Sequence, residues 1–149
     1  MNGREVVNPE ELAFLSEHSL CRLATASEGG MPHVVPVVYA MDGEDVLIAM
    51  DYGTKKLKNL RENLKAAVVV DETNPNRGVL VQGECELFER GPEYLRLLQI
   101  LFDKFVYFRN NPWGEGESPI LRLHPAKVVM WKTASRKGVS SRSRGRKPE

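Results

Sequence analysis

The ten residues Asp51-Tyr52-Gly53-Thr54-Lys55-Lys56-Leu57-Lys58-Asn59-Leu60 follow directly on the apolar run Val46-Leu47-Ile48-Ala49-Met50. A strand that ends in a glycine turn and opens a helix leaves several backbone N–H groups without partners inside the helix. Thr54, Lys55 and Lys56 add a hydroxyl and two cations at the same place, a combination that suits phosphate. A plainer reading is open at this point: Thr54 simply caps the helix, and the lysines form a solvated face.

Other chemistries have less to stand on. His33 could serve as an acid or base, but a lone histidine beside a proline more often packs or faces water. His18 and His124 show no metal-ligand spacing with it or with the cysteines, so no metal site is expected. Cys21 and Cys85 lie far apart, each inside an apolar segment, and read as buried structural thiols. No nucleophile elbow or acid pair appears, which leaves covalent hydrolysis without a constellation.

These residues must be positioned by the elements around them. Asn8, Pro9, Glu10 and Glu11 mark a helix start, and the pattern predicts a short helix over 9–17. From Ser19 onward, short segments rich in valine, leucine and aromatics alternate with Gly, Asp and Asn, which predicts antiparallel hairpins. Strands are expected over 20–27, 32–41 and 45–50, with Glu28-Gly29-Gly30 and Asp42-Gly43 as turns. Pro32 and Pro36 donate no backbone hydrogen bond, so the second strand should run unpaired at an edge or beside a ligand. A polar helix over 55–63, a strand over 66–70, a loop over 72–77 and a long strand over 78–89 follow. The segment 92–107 reads as a helix apolar nearly all round, which must be covered on more than one side: either it is a core helix of this domain, or, the reading preferred, a second subunit covers part of it. A final strand pair is expected over 120–123 and 127–132. The fold class is therefore mainly β: an antiparallel, Greek-key-like barrel with accessory helices.

The order Leu23-Ala24-Thr25-Ala26, Gly turn, Met31-Pro32-His33-Val34-Val35-Pro36-Val37, Asp-Gly hairpin, strand, Gly53-Thr54-Lys55-Lys56-x-x-Asn59-Leu60, Ala67-Val-Val-Val-Asp71 resembles the flavin-binding split β-barrels related to pyridoxamine 5′-phosphate oxidase. The likeness spans about residues 17–89, with a weaker echo at His124-Pro125-x-Lys127-Val128-Val129-x-Trp131. It implies a homodimer with a flavin in each of two interface grooves, acting as an oxidoreductase that passes hydride or electrons to or from a small organic molecule. It implies further that the backbone of Val35, Pro36, Val37 and Val38 lies along the isoalloxazine ring, that Ala49 and Met50 flank it, and that Thr54, Lys55 and Lys56 hold the FMN phosphate. Two departures set the chain apart from oxidases acting on pyridoxamine phosphate: Gly78 rather than glutamine follows Arg77, and the C-terminus lacks their substrate-reading Arg/His segment. The Lys-x-x-Asn-Leu turn is similar to the branch that uses the deazaflavin coenzyme F-420, whose acidic tail Lys55, Lys56, Lys58 and Arg61 would suit by charge. A carrier or sensor that holds flavin without turnover would use the same binding residues.

The chain is 149 residues long with a net charge of +1. From Lys132 onward there are seven Lys/Arg against one Glu, leaving 14 Lys/Arg against 19 Asp/Glu before it. The expected organisation is one barrel domain over 1–133 and a basic, disordered tail over 134–149. An acidic body and a tail without interleaved aromatics do not look like a nucleic-acid surface. No apolar run is long enough for a membrane helix, and the N-terminus lacks the layout of a secretory signal, so a cytoplasmic protein is expected.

Overall fold

In the computed structural model, residues 6–133 are described; the expected tail lies outside them. Helix α1 (Pro9–Glu17) begins where the sequence places it. Asn8 accepts from the Glu11 N–H at 2.8 Å while the Glu11 carboxylate accepts from the Asn8 N–H at 2.9 Å, a reciprocal cap that satisfies two otherwise orphaned donors. Phe14 and Leu15 then turn into the core.

Seven strands follow: β1 (Leu20–Ala26), β2 (Pro32–Val38), β3 (Ala40–Asp42), β4 (Asp45–Ala49), β5 (Lys65–Thr73), β6 (Asn76–Phe88) and β7 (Ile120–Lys132). They form one sheet in the order β2-β1-β5-β6-β7-β4-β3, antiparallel at every join. This sheet curls into a split β-barrel. The expected single strand over 32–41 is divided at Tyr39 because its pairing partner changes there: β2 pairs with β1 at one edge of the sheet, and β3 pairs with β4 at the other. One extended stretch thus joins both edges, and β2 meets β4 at the seam. Tyr39 is fully buried at this crossing, with its hydroxyl on the Leu15 carbonyl at 2.5 Å and its N–H on the Ser19 carbonyl at 3.0 Å.

Two other expectations are corrected by pairing. The loop over 72–77 is instead a tight turn, since Thr73 pairs with Asn76 and an Arg77–Glu72 ion pair at 2.8 Å bridges the two strands. The last two strands are one, β7, with a register shift at Ala126: Gln82 pairs with Lys127 and Gly83 with Pro125. Gly83 is required there: a Cβ would stand 1.8 Å from the His124 carbonyl oxygen.

The core has two parts. Inside the barrel, inward residues such as Leu23, Ile48, Val68, Val81 and Leu123 meet Leu57 and Leu60 of helix α2 (Lys55–Glu62). Outside it, helix α3 (Pro92–Lys104) lays Tyr94, Leu97, Leu98 and Leu101 over Leu47 and Ile120. The helix expected over 92–107 breaks at Phe105, whose extended backbone (φ −114°) turns its ring into the cluster with Phe108; α4 (Val106–Asn110) follows. Its main apolar stripe is therefore covered within this chain, while Leu95, Val106 and Tyr107 stay exposed. An ion cluster fixes α3 to the β3–β4 hairpin: Asp42 meets Arg96 at 2.7 Å and Arg122 at 2.8 Å, and Arg122 reaches Glu93 at 3.0 Å. Both cysteines are buried and unpaired, as expected, and burial pushes each thiol up to about 12.

Candidate functional site

The barrel seam brings together the strands expected to flank a ligand. β2 is an edge strand none of whose residues is fully buried, consistent with the two prolines. Val35, Pro36, Val37 and Val38 stand opposite Leu23, Arg22, Cys21 and Leu20 of β1. Val37 borders the barrel interior, while Val38 and Ala49 border the cluster under α3. Pro36 is exposed.

The end of β4 is held firmly. The Met50 N–H donates to the Pro119 carbonyl at 2.9 Å, and the buried Ser118 hydroxyl donates to the Met50 carbonyl at 2.5 Å. Ser118 is itself held from α3, because the Tyr94 hydroxyl donates to its carbonyl at 2.6 Å and accepts from Trp113 Nε1 at 3.0 Å. Met50 is buried, so whatever lies beside it is positioned by a backbone with both polar groups engaged.

Beyond Met50 the chain turns through Gly53, whose φ of +84° lies in the left-handed region, into α2. The Thr54 hydroxyl donates to the Asp51 carbonyl at 2.9 Å and does not cap the helix. The first turn of α2 consequently has no side-chain acceptor for its N–H groups, so the capping role that the sequence allowed Thr54 is not taken up. Among the described residues, neither Lys55 nor Lys56 forms an ion pair, whereas Lys58 is bound to Glu62 at 2.9 Å and Arg61 lies 3.4 Å from Glu89. The helix is rooted by Leu57 and Leu60 and by fully buried Asn59, which donates to Thr25 Oγ1 at 3.1 Å. Uncapped N–H groups and two cations outside any ion pair, on a helix rooted in the core, are groups that could hold a phosphate.

The remaining titratable residues gather elsewhere. His33 faces Thr25 on the neighbouring strand, with Nδ1 buried and unpartnered. His18 sits between the Phe14 carbonyl and Glu72, and His124 between Asp45 and Glu86. Among the described residues no group of His, Cys, Asp and Glu could hold a metal ion. No helix of the described residues is long and apolar enough to cross a membrane.

Three features were not read from the sequence. The Tyr52 hydroxyl donates to Glu89 at 2.6 Å, and that hydrogen bond holds the Glu89 carboxyl below its usual range. Ser118 fixes Met50 from 68 residues away. An open groove of about 550 Å³ runs over Ala24, Ala67 and Gly83, rimmed by Lys65, Gln82 and Glu84, and contains none of the expected site residues. Small residues at outward strand positions were its only trace in the sequence.

Comparison with known proteins places these features among relatives. The sequence matches the family model for pyridoxamine 5′-phosphate oxidase over residues 7–132. It is 28% identical over 131 residues to the 5a,11a-dehydrotetracycline/5a,11a-dehydrooxytetracycline reductase of Streptomyces rimosus, covering 82% of this chain and 80% of that protein. The heme storage protein HutZ of Vibrio cholerae superposes with a TM-score of 0.71 at 16% identity, covering 83% of this chain and 94% of HutZ. A FAD-binding protein of Mesorhizobium loti superposes with a TM-score of 0.69 at 23% identity, covering 85% and 93%. At these identities, the two structural likenesses show the fold alone.

Proposed function

Because the chain belongs to the pyridoxamine 5′-phosphate oxidase family, we propose that it is a homodimeric flavin oxidoreductase that binds FMN at the barrel seam. The observation that carries this reading is the uncapped first turn of α2 with Lys55 and Lys56 unpaired beside it. The phosphate is assigned to Thr54, Lys55, Lys56 and the first-turn N–H groups; the ring is assigned to the edge formed by Val35, Pro36, Val37 and Val38, flanked by Ala49 and Met50. At Pro36 the edge has no N–H, so a flat ring can approach without leaving a main-chain donor unpaired. When bound, a flavin supplies reversible two-electron acceptance, and the protein's part is binding, orientation and electrostatics. The similarity to a reductase supports turnover rather than storage.

The dimer is supported by an apolar outer face. Val34, 62% exposed, leads across the sheet to half-buried Ala24 and Ala67 before the row turns polar at Gln82, and the adjacent row holds Pro36, Val69, Leu80 and Val129, interrupted by Arg22, which pairs with Asp71. Coenzyme F-420 is the second reading, but its acidic tail would call on Lys58 and Arg61, which already face Glu62 and Glu89. FMN is therefore preferred. The substrate is assigned to small organic molecules other than pyridoxamine phosphate, because Gly78 stands where the oxidases have glutamine.

The test is a visible spectrum and mass spectrometry of the purified protein, followed by titration with FMN and F-420. FMN should bind, and Lys56→Ala should weaken it about tenfold or more, the worth of one charge-assisted phosphate contact. Unchanged affinity in Lys56→Ala would overturn the phosphate assignment. Bound flavin that no reductant can cycle with an added acceptor would leave a carrier instead of an enzyme.

A further inference from the structure

We propose that Glu89 is a positioning residue for the phosphate turn, acting through Tyr52 on one side and Arg61 on the other; the inference rests on the assignment of that turn to the FMN phosphate.

Glu89 directly follows β6, 37 residues from Tyr52 and 28 from Arg61. One carboxylate oxygen accepts from the Tyr52 hydroxyl at 2.6 Å, and the other lies 3.4 Å from both terminal nitrogens of Arg61. Tyr52 belongs to the turn just before Gly53 and Thr54, whereas Arg61 lies in the last turn of α2. The cradle therefore lies between two points fastened to one carboxylate, and that carboxylate is carried by the longest ladder of the barrel. Met50 before the turn and α2 after it are held to the barrel, but between them the side chains give little further hold: the Thr54 hydroxyl bonds only to Asp51, and a Cβ at left-handed Gly53 would meet nothing within 4 Å. A turn that must present several N–H groups to one anion gains affinity when its geometry is fixed in advance.

The arrangement also explains why an acidic residue is tolerable so close to a phosphate. Arg61 offsets its charge, and the other carboxylate oxygen is occupied by the Tyr52 hydroxyl. Two roles for Glu89 can be separated by sign. If it acted only as a charge, neutralising it would reduce repulsion and tighten phosphate binding. As a positioning group, its loss loosens the turn and weakens binding. Tyr52→Phe removes the hydrogen bond with no change of charge and isolates the second role.

The experiment compares dissociation constants for FMN and for riboflavin, which has the same ring and no phosphate, by quenching of flavin fluorescence in full-length wild type, Tyr52→Phe, Glu89→Gln and Lys56→Ala. The quantity of interest is the ratio of the riboflavin constant to the FMN constant. Tyr52→Phe and Glu89→Gln are each expected to lower it by about threefold, the scale of an exposed polar pair, with riboflavin affinity unchanged. A change shared equally by both ligands would mark a merely structural role and overturn the proposal. So would a ratio that rises in Glu89→Gln or stays constant in Tyr52→Phe. Lys56→Ala separates the two levels of the argument: if it leaves the ratio untouched, the phosphate assignment falls and this inference with it; if it collapses the ratio while the other two variants do not, only the role of Glu89 is refuted.

Discussion

Substituting Gly53 with alanine isolates the conformation of the turn assigned to the phosphate from every contact around it. A Cβ built on Gly53 meets no atom within 4 Å, so no clash contributes. What remains is the backbone: at φ +84° an L-residue is disfavoured by about 1–2 kcal/mol. That cost can be expressed in two ways. If the turn keeps its shape, Gly53→Ala lowers the urea midpoint by about 0.5–1 M, for a denaturant slope of about 2 kcal/mol/M. If the turn relaxes, stability is largely retained but the N–H groups of α2 move off the anion, and the preference for FMN over riboflavin falls. Measuring both on one preparation accounts for the whole cost. Gly114→Ala is the control, because its Cβ also meets nothing and its φ is not positive; it should change neither quantity. A Gly53→Ala variant that matched wild type in both would refute the claim that the turn depends on a left-handed residue.

Tyr94→Phe should destabilise the protein by about 1–2 kcal/mol in urea unfolding, because the buried Ser118 carbonyl loses its donor while Trp113, only partly buried, can turn to water; equal midpoints would show that the hydroxyl contributes nothing. The Asp42 carboxyl is held below its ordinary value of 3.8, first by the Arg96 hydrogen bond and, against an opposing contribution from burial, also by Arg122. Its stabilisation is therefore complete above that value and is lost as pH falls through the lowered one. The drop in urea midpoint between pH 7 and pH 3 should accordingly shrink in Arg96→Met, and an identical drop would exclude the cluster as a contributor.

What the sequence disclosed follows the range of the interactions involved. Helix α1 was legible to the residue because Asn8, Pro9 and Glu11 act on one another within four positions. The glycine turn into α2 was legible for the same reason, since Gly53, Thr54, Lys55 and Lys56 are consecutive. Whether Thr54 capped the helix was not, because the competing Asp51 carbonyl is equally local and only geometry chooses between them. The division of the second strand at Tyr39 was hidden: Val38 and Ala40 are both extended, and only their partners differ. The break at Phe105 was missed because residues on both sides carry the apolar pattern of a helix, while the ring is drawn into a cluster formed by packing. Glu89 and Ser118 act from 37 and 68 residues away, and no local pattern marks either.

The single-residue crossing at Tyr39 also bears on how the barrel assembles. Uniting two sheet edges commonly carries a loop-closure entropy that grows with the intervening chain. Here the two edges are already covalent neighbours, and the hairpins on either side, β1–β2 and β3–β4, are completed by residues 20–49. The long-range pairings, β1 with β5 and β4 with β7, fall on strands that these hairpins present. The strands at the seam thus belong to the low-contact-order portion of the chain, the portion whose contacts can form early. The two hairpins thus set both edges of the seam in one local stretch, and the hoop closes only when β5, β6 and β7 pair between them, the step that also brings Glu89 to Tyr52.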